Sequence, residues 1–166
     1  MTKFLLAVHV LAAVMAVGPV AVAASMFPPA LRRARAESRE TAGSGDPGDP
    51  GGPGGGDAPA TLRTLHRICR VYAGVGLAVP VFGFATASSL GVLGSGWLIA
   101  SIVLTAAAAG VLALLILPAQ SEALAGTVAN SLAAPQRLAM LTGVFNLLWA
   151  TVTVLMIVRP GSTTGV

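Results

Sequence analysis

WLIASIVLTAAAAGVLALLIL, Trp97 to Leu117, decides the fold: 21 consecutive residues without an Asp, Glu, Lys or Arg. A helix rises about 1.5 Å per residue, so roughly 20 residues match the ~30 Å hydrocarbon core of a bilayer. Working outward, three more uncharged runs of similar length follow the same rule: Phe4 to Ala24, Val71 to Leu90 and Leu138 to Val158. The runs are about twice as long as a barrel strand and lack strict alternation, and backbone groups in lipid must be bonded within the segment. The expectation is an all-α, four-helix transmembrane bundle forming a single membrane domain over residues 1–166.

Composition agrees. Of 166 residues 55% are hydrophobic and 10% charged, against about 25% charged in an average soluble domain. The mean hydropathy is +0.82. The net charge of +4 does not call for nucleic acid, because eight of the ten basic residues fall between spans, where membrane topology explains them. Cys69 is the single cysteine, so the chain has no internal disulfide, CxxC pair or thiolate cluster.

Charge also sets the expected orientation. Arg32, Arg33, Arg35, Arg39, Arg63, Arg67 and Arg70 lie in the first connection and Arg137 in the third; Lys3 and Arg159 alone lie on the opposite side. Positive charge is retained in the cytoplasm, so both termini are expected outside a plasma membrane, of the bacterial inner-membrane type. Met1 to Ser25 has the small residues Ala21 and Ala23 of a cleavable signal. Its apolar run exceeds a signal's usual length and arginines follow it closely, so it is read as an uncleaved anchor.

The first connection divides into three parts. Pro28 and Pro29 are expected to end span one, since proline removes a backbone donor and disfavours helix before it. Arg32, Arg33, Arg35 and Arg39 form a basic segment suited to anionic headgroups. Thr41 to Pro59, rich in Gly, Pro and Asp, reads as a flexible linker; Pro47, Pro50 and Pro53 deny its GxG patterns the strand and helix of a phosphate loop. Beyond it, Leu62, Leu65, Cys69 and Tyr72 form an apolar helical stripe opposite Arg63, Arg67 and Arg70. Pro118 to Arg137, weakly amphipathic around Leu124, Val128 and Leu132, is expected to form a short interfacial helix.

Within the spans, small residues mark faces for close approach: Ala12, Ala13 and Ala16; Gly76, Gly83 and Ala87; Ser101, Thr105 and Ala109. Leu112, Leu115 and Ile116 are expected to face lipid. His9 shares the small face of span one and lies about 8 Å below the outer surface at ~1.5 Å per residue. An ionisable group at such depth is a functional candidate, and a neutral histidine bonded to a Ser or Thr hydroxyl is its structural alternative. Asn146 is near the middle of span four and needs a partner. Pro80 frees the carbonyl of Gly76 at similar depth, so Asn146 is expected to cap it. His9 and His66 fall at opposite faces of the membrane and cannot share one haem; His66, among arginines, reads as solvated.

HVLAAVMAVG, His9 to Gly18, on a first span followed by three more, resembles small bacterial integral-membrane proteins of unknown function related to copper-resistance D-type proteins. The family pattern is a first-span histidine, small residues and a Trp-x-Gly step. Gly18 matches its glycine, Ala16 stands in place of the tryptophan, and Pro19 follows where a second glycine is common. The resemblance implies that His9 occupies a position where relatives bind haem or copper.

Three function classes follow. The first is a non-enzymatic accessory or structural bundle with no cofactor, contacting lipid headgroups, another membrane protein or a second copy of itself. The second is a haem- or copper-associated protein using His9. The third, a small oligomeric transporter, is disfavoured because Glu37, Glu40, Asp46, Asp49, Asp57 and Glu122 all lie outside the spans. Catalysis is disfavoured for want of a paired acid, base or nucleophile at a membrane face.

Overall fold

The computed structural model describes residues 2–43, 57–126 and 134–161. Among them the chain is helical with no strand: α1 Thr2–Gly43, α2 Asp57–Val75, α3 Ala78–Leu90, α4 Gly96–Gly110, a π-helical segment Val111–Ile116, α5 Leu117–Leu124 and α6 Pro135–Val158. Four continuous helical stretches are long and apolar enough to cross a membrane: Lys3–Arg39, Ala58–Leu90, Gly96–Leu124 and Pro135–Val158. Their outer faces show large apolar side chains, with Leu114 75% and Ile157 76% exposed. A soluble monomer seldom exposes contiguous apolar surface on this scale, whereas lipid solvates it.

α1 is the axis of the bundle. It lies along α2 and α3 on one side and α6 on the other, while α4 lies against α6 and α5 reaches back to α2. The spans are therefore arranged in the order two, one, four, three, with span three closing on span two through α5. One core cluster sits toward the arginine-rich end, where Ala23, Ala24, Phe27 and Leu31 of α1 meet Leu62, Leu65, Cys69, Ala119 and Leu138. Leu62, Leu65 and Cys69 are buried while Arg63, Arg67 and Arg70 are exposed, the division that helical spacing dictates. A second cluster joins Val20, Ala108, Leu112, Ile116 and Phe145, with Phe145 and Trp149 edge to face at 6.4 Å.

Span one does not stop at Pro28 and Pro29. The helix runs through both to Gly43, correcting the expected end at Ala24. The physical reason is tertiary: the Thr142 hydroxyl of α6 donates to the Ala24 carbonyl that Pro28 leaves open. The helix also takes in the first residues of the expected linker, and α2 begins at Asp57 before its end; residues 44–56 lie outside the described residues.

The break in span two falls at Gly76 and Leu77. Gly76 donates to the Tyr72 carbonyl at 2.8 Å, and Val79 donates to the Gly76 carbonyl at 3.1 Å. The carbonyl that Pro80 deprives of its usual donor is thus satisfied one residue early by a tighter turn. A Cβ at Gly76 would stand 3.2 Å from the Ala73 carbonyl oxygen, so the turn favours glycine.

Span three also departs from the expected register. Ser101, Ala108, Leu112 and Ile116 are buried, Ala109 is exposed, and Leu114 and Leu115 face outward. Steps of four residues drift about 40° each around a helix, whereas a step of seven drifts only about 20°. The Ser101, Thr105, Ala109 series therefore rotates away from the core, and Leu112 and Ile116 turn into it. Leu117 donates five residues back to Leu112, and this wide turn immediately precedes Pro118. Beyond Pro118 the helix continues to Leu124 and ends at Gly126, φ +71°. The interfacial helix expected around Val128 and Leu132 falls on residues 127–133, outside the described residues.

The end opposite the arginine-rich one is closed by short caps. Gly91, φ 68°, ends α3, and Ser95 in extended conformation starts α4. Arg159 ends α6 with φ 45°, donates through Nε to the Met156 carbonyl at 3.3 Å, and sets its guanidinium 5.7 Å from the centre of the Trp97 ring.

Candidate functional site

The polar side chains inside the spans form three separate sets. The first surrounds the proline pair of α1. Pro28 has no N–H, so the Ala24 carbonyl lacks its helical donor; Thr142 of α6 donates its hydroxyl to that oxygen at 3.4 Å. Asn146, one turn further along α6, donates Nδ2 to the Ser25 hydroxyl at 3.3 Å. Its Oδ1 is buried with no hydrogen-bond partner among the described residues. Asn146 therefore bonds the Ser25 side chain of span one and not the carbonyl of Gly76 beside Pro80. The expected pairing is corrected because the short turn at Val79 already satisfies Gly76.

The second set centres on His9, which is buried between α1 and α3. Its Nδ1 lies 3.0 Å from the Val79 carbonyl oxygen. A carbonyl only accepts, so His9 donates through Nδ1 and the lone pair of the neutral ring is on Nε2. The partner is backbone, where a hydroxyl was expected. Thr86 instead bonds the Phe82 carbonyl at 2.7 Å and Ser101 the Trp97 carbonyl at 2.8 Å, each within its own helix. Gly83 makes room for the imidazole: a Cβ there would stand 3.0 Å from His9 Cε1.

Donation from Nδ1 to a backbone carbonyl is also how many metal-bound histidines are held, so haem or copper at His9 requires a test of fit. Among the described residues no group of three His, Cys, Asp or Glu side chains is placed to hold a metal ion. His66 is about 20 Å further along the second span at ~1.5 Å per residue. Neither of the two cavities described here is lined by His9. Among the described residues His9 thus stands as a single imidazole engaged to a backbone carbonyl, with no cluster of ligands around it.

The third set was not read from sequence. Gln120, fully buried in the middle of α5, accepts from His66 Nδ1 through Oε1 at 3.1 Å and sets Nε2 3.7 Å from Cys69 Sγ. His66 is half-buried, which corrects the expected solvated side chain. His66 and Cys69 share a helix face at a three-residue step, and that spacing was the available signal. Nothing local distinguished Gln120.

Two cavities accompany these sets. One, about 110 Å³, lies at the span-two break and is lined by Ala16, Gly76, Pro80, Thr105, Leu112 and Trp149, among others. The other, about 260 Å³, lies at the arginine-rich end between α1, α2 and α5. Of the predicted headgroup arginines, Arg35 lines this second cavity; Arg32, Arg33 and Arg39 are exposed on the same helix.

In comparisons with known proteins, no family model, curated protein or solved structure matches the chain.

Proposed function

We propose that this chain is a non-catalytic multi-pass bundle of the plasma membrane, of bacterial inner-membrane type, acting as an accessory or structural partner to other membrane components. One observation carries the reading. Among the described residues the buried side chains His9, Gln120 and Thr142 bond to another helix, while Thr86 and Ser101 bond within their own. The bonds that cross between helices hold the bundle together, at about 0.6 to 2 kcal/mol each. Their arrangement supports a structural role over chemistry, which calls for a paired acid and base.

In this reading both termini are outside and the arginine-rich end is cytoplasmic, where Arg32, Arg33, Arg35 and Arg39 meet anionic headgroups. The apolar outer faces contact lipid, another membrane protein or a second copy. The resemblance to copper-resistance D-type relatives rests on His9 and adds haem or copper association only as a competing outcome.

Purification in mild detergent, followed by an absorbance spectrum and metal analysis of wild type and His9→Ala, tests the proposal. The expected result is no Soret band and no stoichiometric metal in either. A Soret band or bound copper lost in His9→Ala overturns it.

A further inference from the structure

The larger cavity has the composition of a lipid headgroup site. Where α1 and α2 run beyond the uncharged spans, the facing side chains are small: Ala34 and Ser38 of α1, Pro59 of α2 and Ala123 of α5. These are too short to meet across the gap, and a space of about 260 Å³ remains. Leu31, Leu62 and Leu124 form its apolar wall, while Arg35, Arg63 and Glu122 bring charge to it. Leu31 and Leu62 are buried and belong to the core cluster that continues into the membrane. The cavity thus lies where an apolar phase gives way to a polar one.

We propose that this cleft binds the headgroup of an anionic phospholipid of the glycerol type, drawn from the leaflet at the arginine-rich end. Arg63 and Arg35 present guanidinium donors to the phosphodiester, which a planar fork of N–H groups matches. Glu122 accepts from the headgroup hydroxyls, a role that an ammonium without N–H groups, as in choline, does not fill. The leucine wall leads from the glycerol backbone toward the acyl chains. A free phosphorylated solute shares the phosphate chemistry but has no use for the leucine wall. The inference rests on the reading that this end of the bundle meets a headgroup layer.

The test is lipid binding by native mass spectrometry and exchange in nanodiscs, using the full chain and phosphatidylglycerol against phosphatidylcholine. The expected result is retention of one phosphatidylglycerol at least fivefold over phosphatidylcholine. Arg63→Gln should lose that preference and Arg67→Gln, exposed on the same helix but outside the cleft, should keep it. Glycerol 3-phosphate at millimolar concentration should not displace the lipid. Equal losses in Arg63→Gln and Arg67→Gln reveal diffuse surface attraction and overturn the site. So does displacement by glycerol 3-phosphate, which assigns the cleft to a soluble ligand. A chain that inserts without lipid preference fails the site alone; one that does not insert fails the membrane reading too.

Discussion

Gly83 lies directly against the imidazole of His9: a Cβ at Gly83 would come within 3.0 Å of Cε1 and 3.3 Å of Nδ1. The same ring bonds the carbonyl of Val79, one turn before Gly83 on the same helix, at 3.0 Å. A missing side chain on α3 and a long polar one on α1 therefore form one complementary contact. Through it, span one is held to the second half of span two.

Filling that contact forces the imidazole off its acceptor. Gly83→Val is expected to destabilise the bundle by about 1 to 3 kcal/mol, the usual range for overpacking. His9→Ala in the same background should recover part of the loss. Thermal unfolding in detergent of the single and double variants measures both.

The proline pair in α1 offers a cycle with a definite sign. Thr142→Val removes the donor to the Ala24 carbonyl and should cost about 0.6 to 2 kcal/mol. Pro28→Ala restores the helical N–H to that carbonyl, so Thr142→Val should cost less in the Pro28→Ala background. Equal costs in both backgrounds contradict the bracing role.

Gln120 joins His66 of α2 to the buried thiol of Cys69. Gln120→Ala leaves a cavity beside that thiol and removes the partner of His66. A membrane-permeant maleimide should label Cys69 at least several-fold faster in this variant. In the wild type, labelling should await unfolding in detergent.

The turn between α2 and α3 depends on glycine at position 76, where a Cβ would press on the carbonyl oxygens of Ala73 and Tyr72. Gly76→Ala should lower the melting temperature, whereas Gly18→Ala, with open space around it, should leave it unchanged. Circular dichroism melts of the two variants separate these outcomes.

The spans were legible in the sequence because lipid imposes one simple rule, about 20 residues without charge, and each run obeys it. The arginine face of α2 was legible because helical spacing alone determines it. What escaped depends on contacts distant in sequence. Pro28 and Pro29 obey the local rule for helix ends, and only Thr142, more than a hundred residues later, lets the helix pass through them. Asn146 was expected at the Gly76 carbonyl beside Pro80, and depth along the helices could not point to the Ser25 hydroxyl of span one before the order of the spans was known. Gln120 carried no local signal, and the lipid-facing expectation for Leu112 and Ile116 failed because the core face runs from Ser101 to Ala108 and on into the π-helical segment, whose wider turns keep both residues on it.

The central claim is a four-span bundle whose arginine-rich end is cytoplasmic. In a Cys69→Ser background, Ala36→Cys places a thiol on the exposed arginine-bearing part of α1, and Gly94→Cys places one in the opposite hairpin. Labelling of intact cells with a membrane-impermeant maleimide should modify Gly94→Cys at once and Ala36→Cys only after the membrane is permeabilised. Immediate labelling of Ala36→Cys in intact cells, with Gly94→Cys protected, would contradict the account.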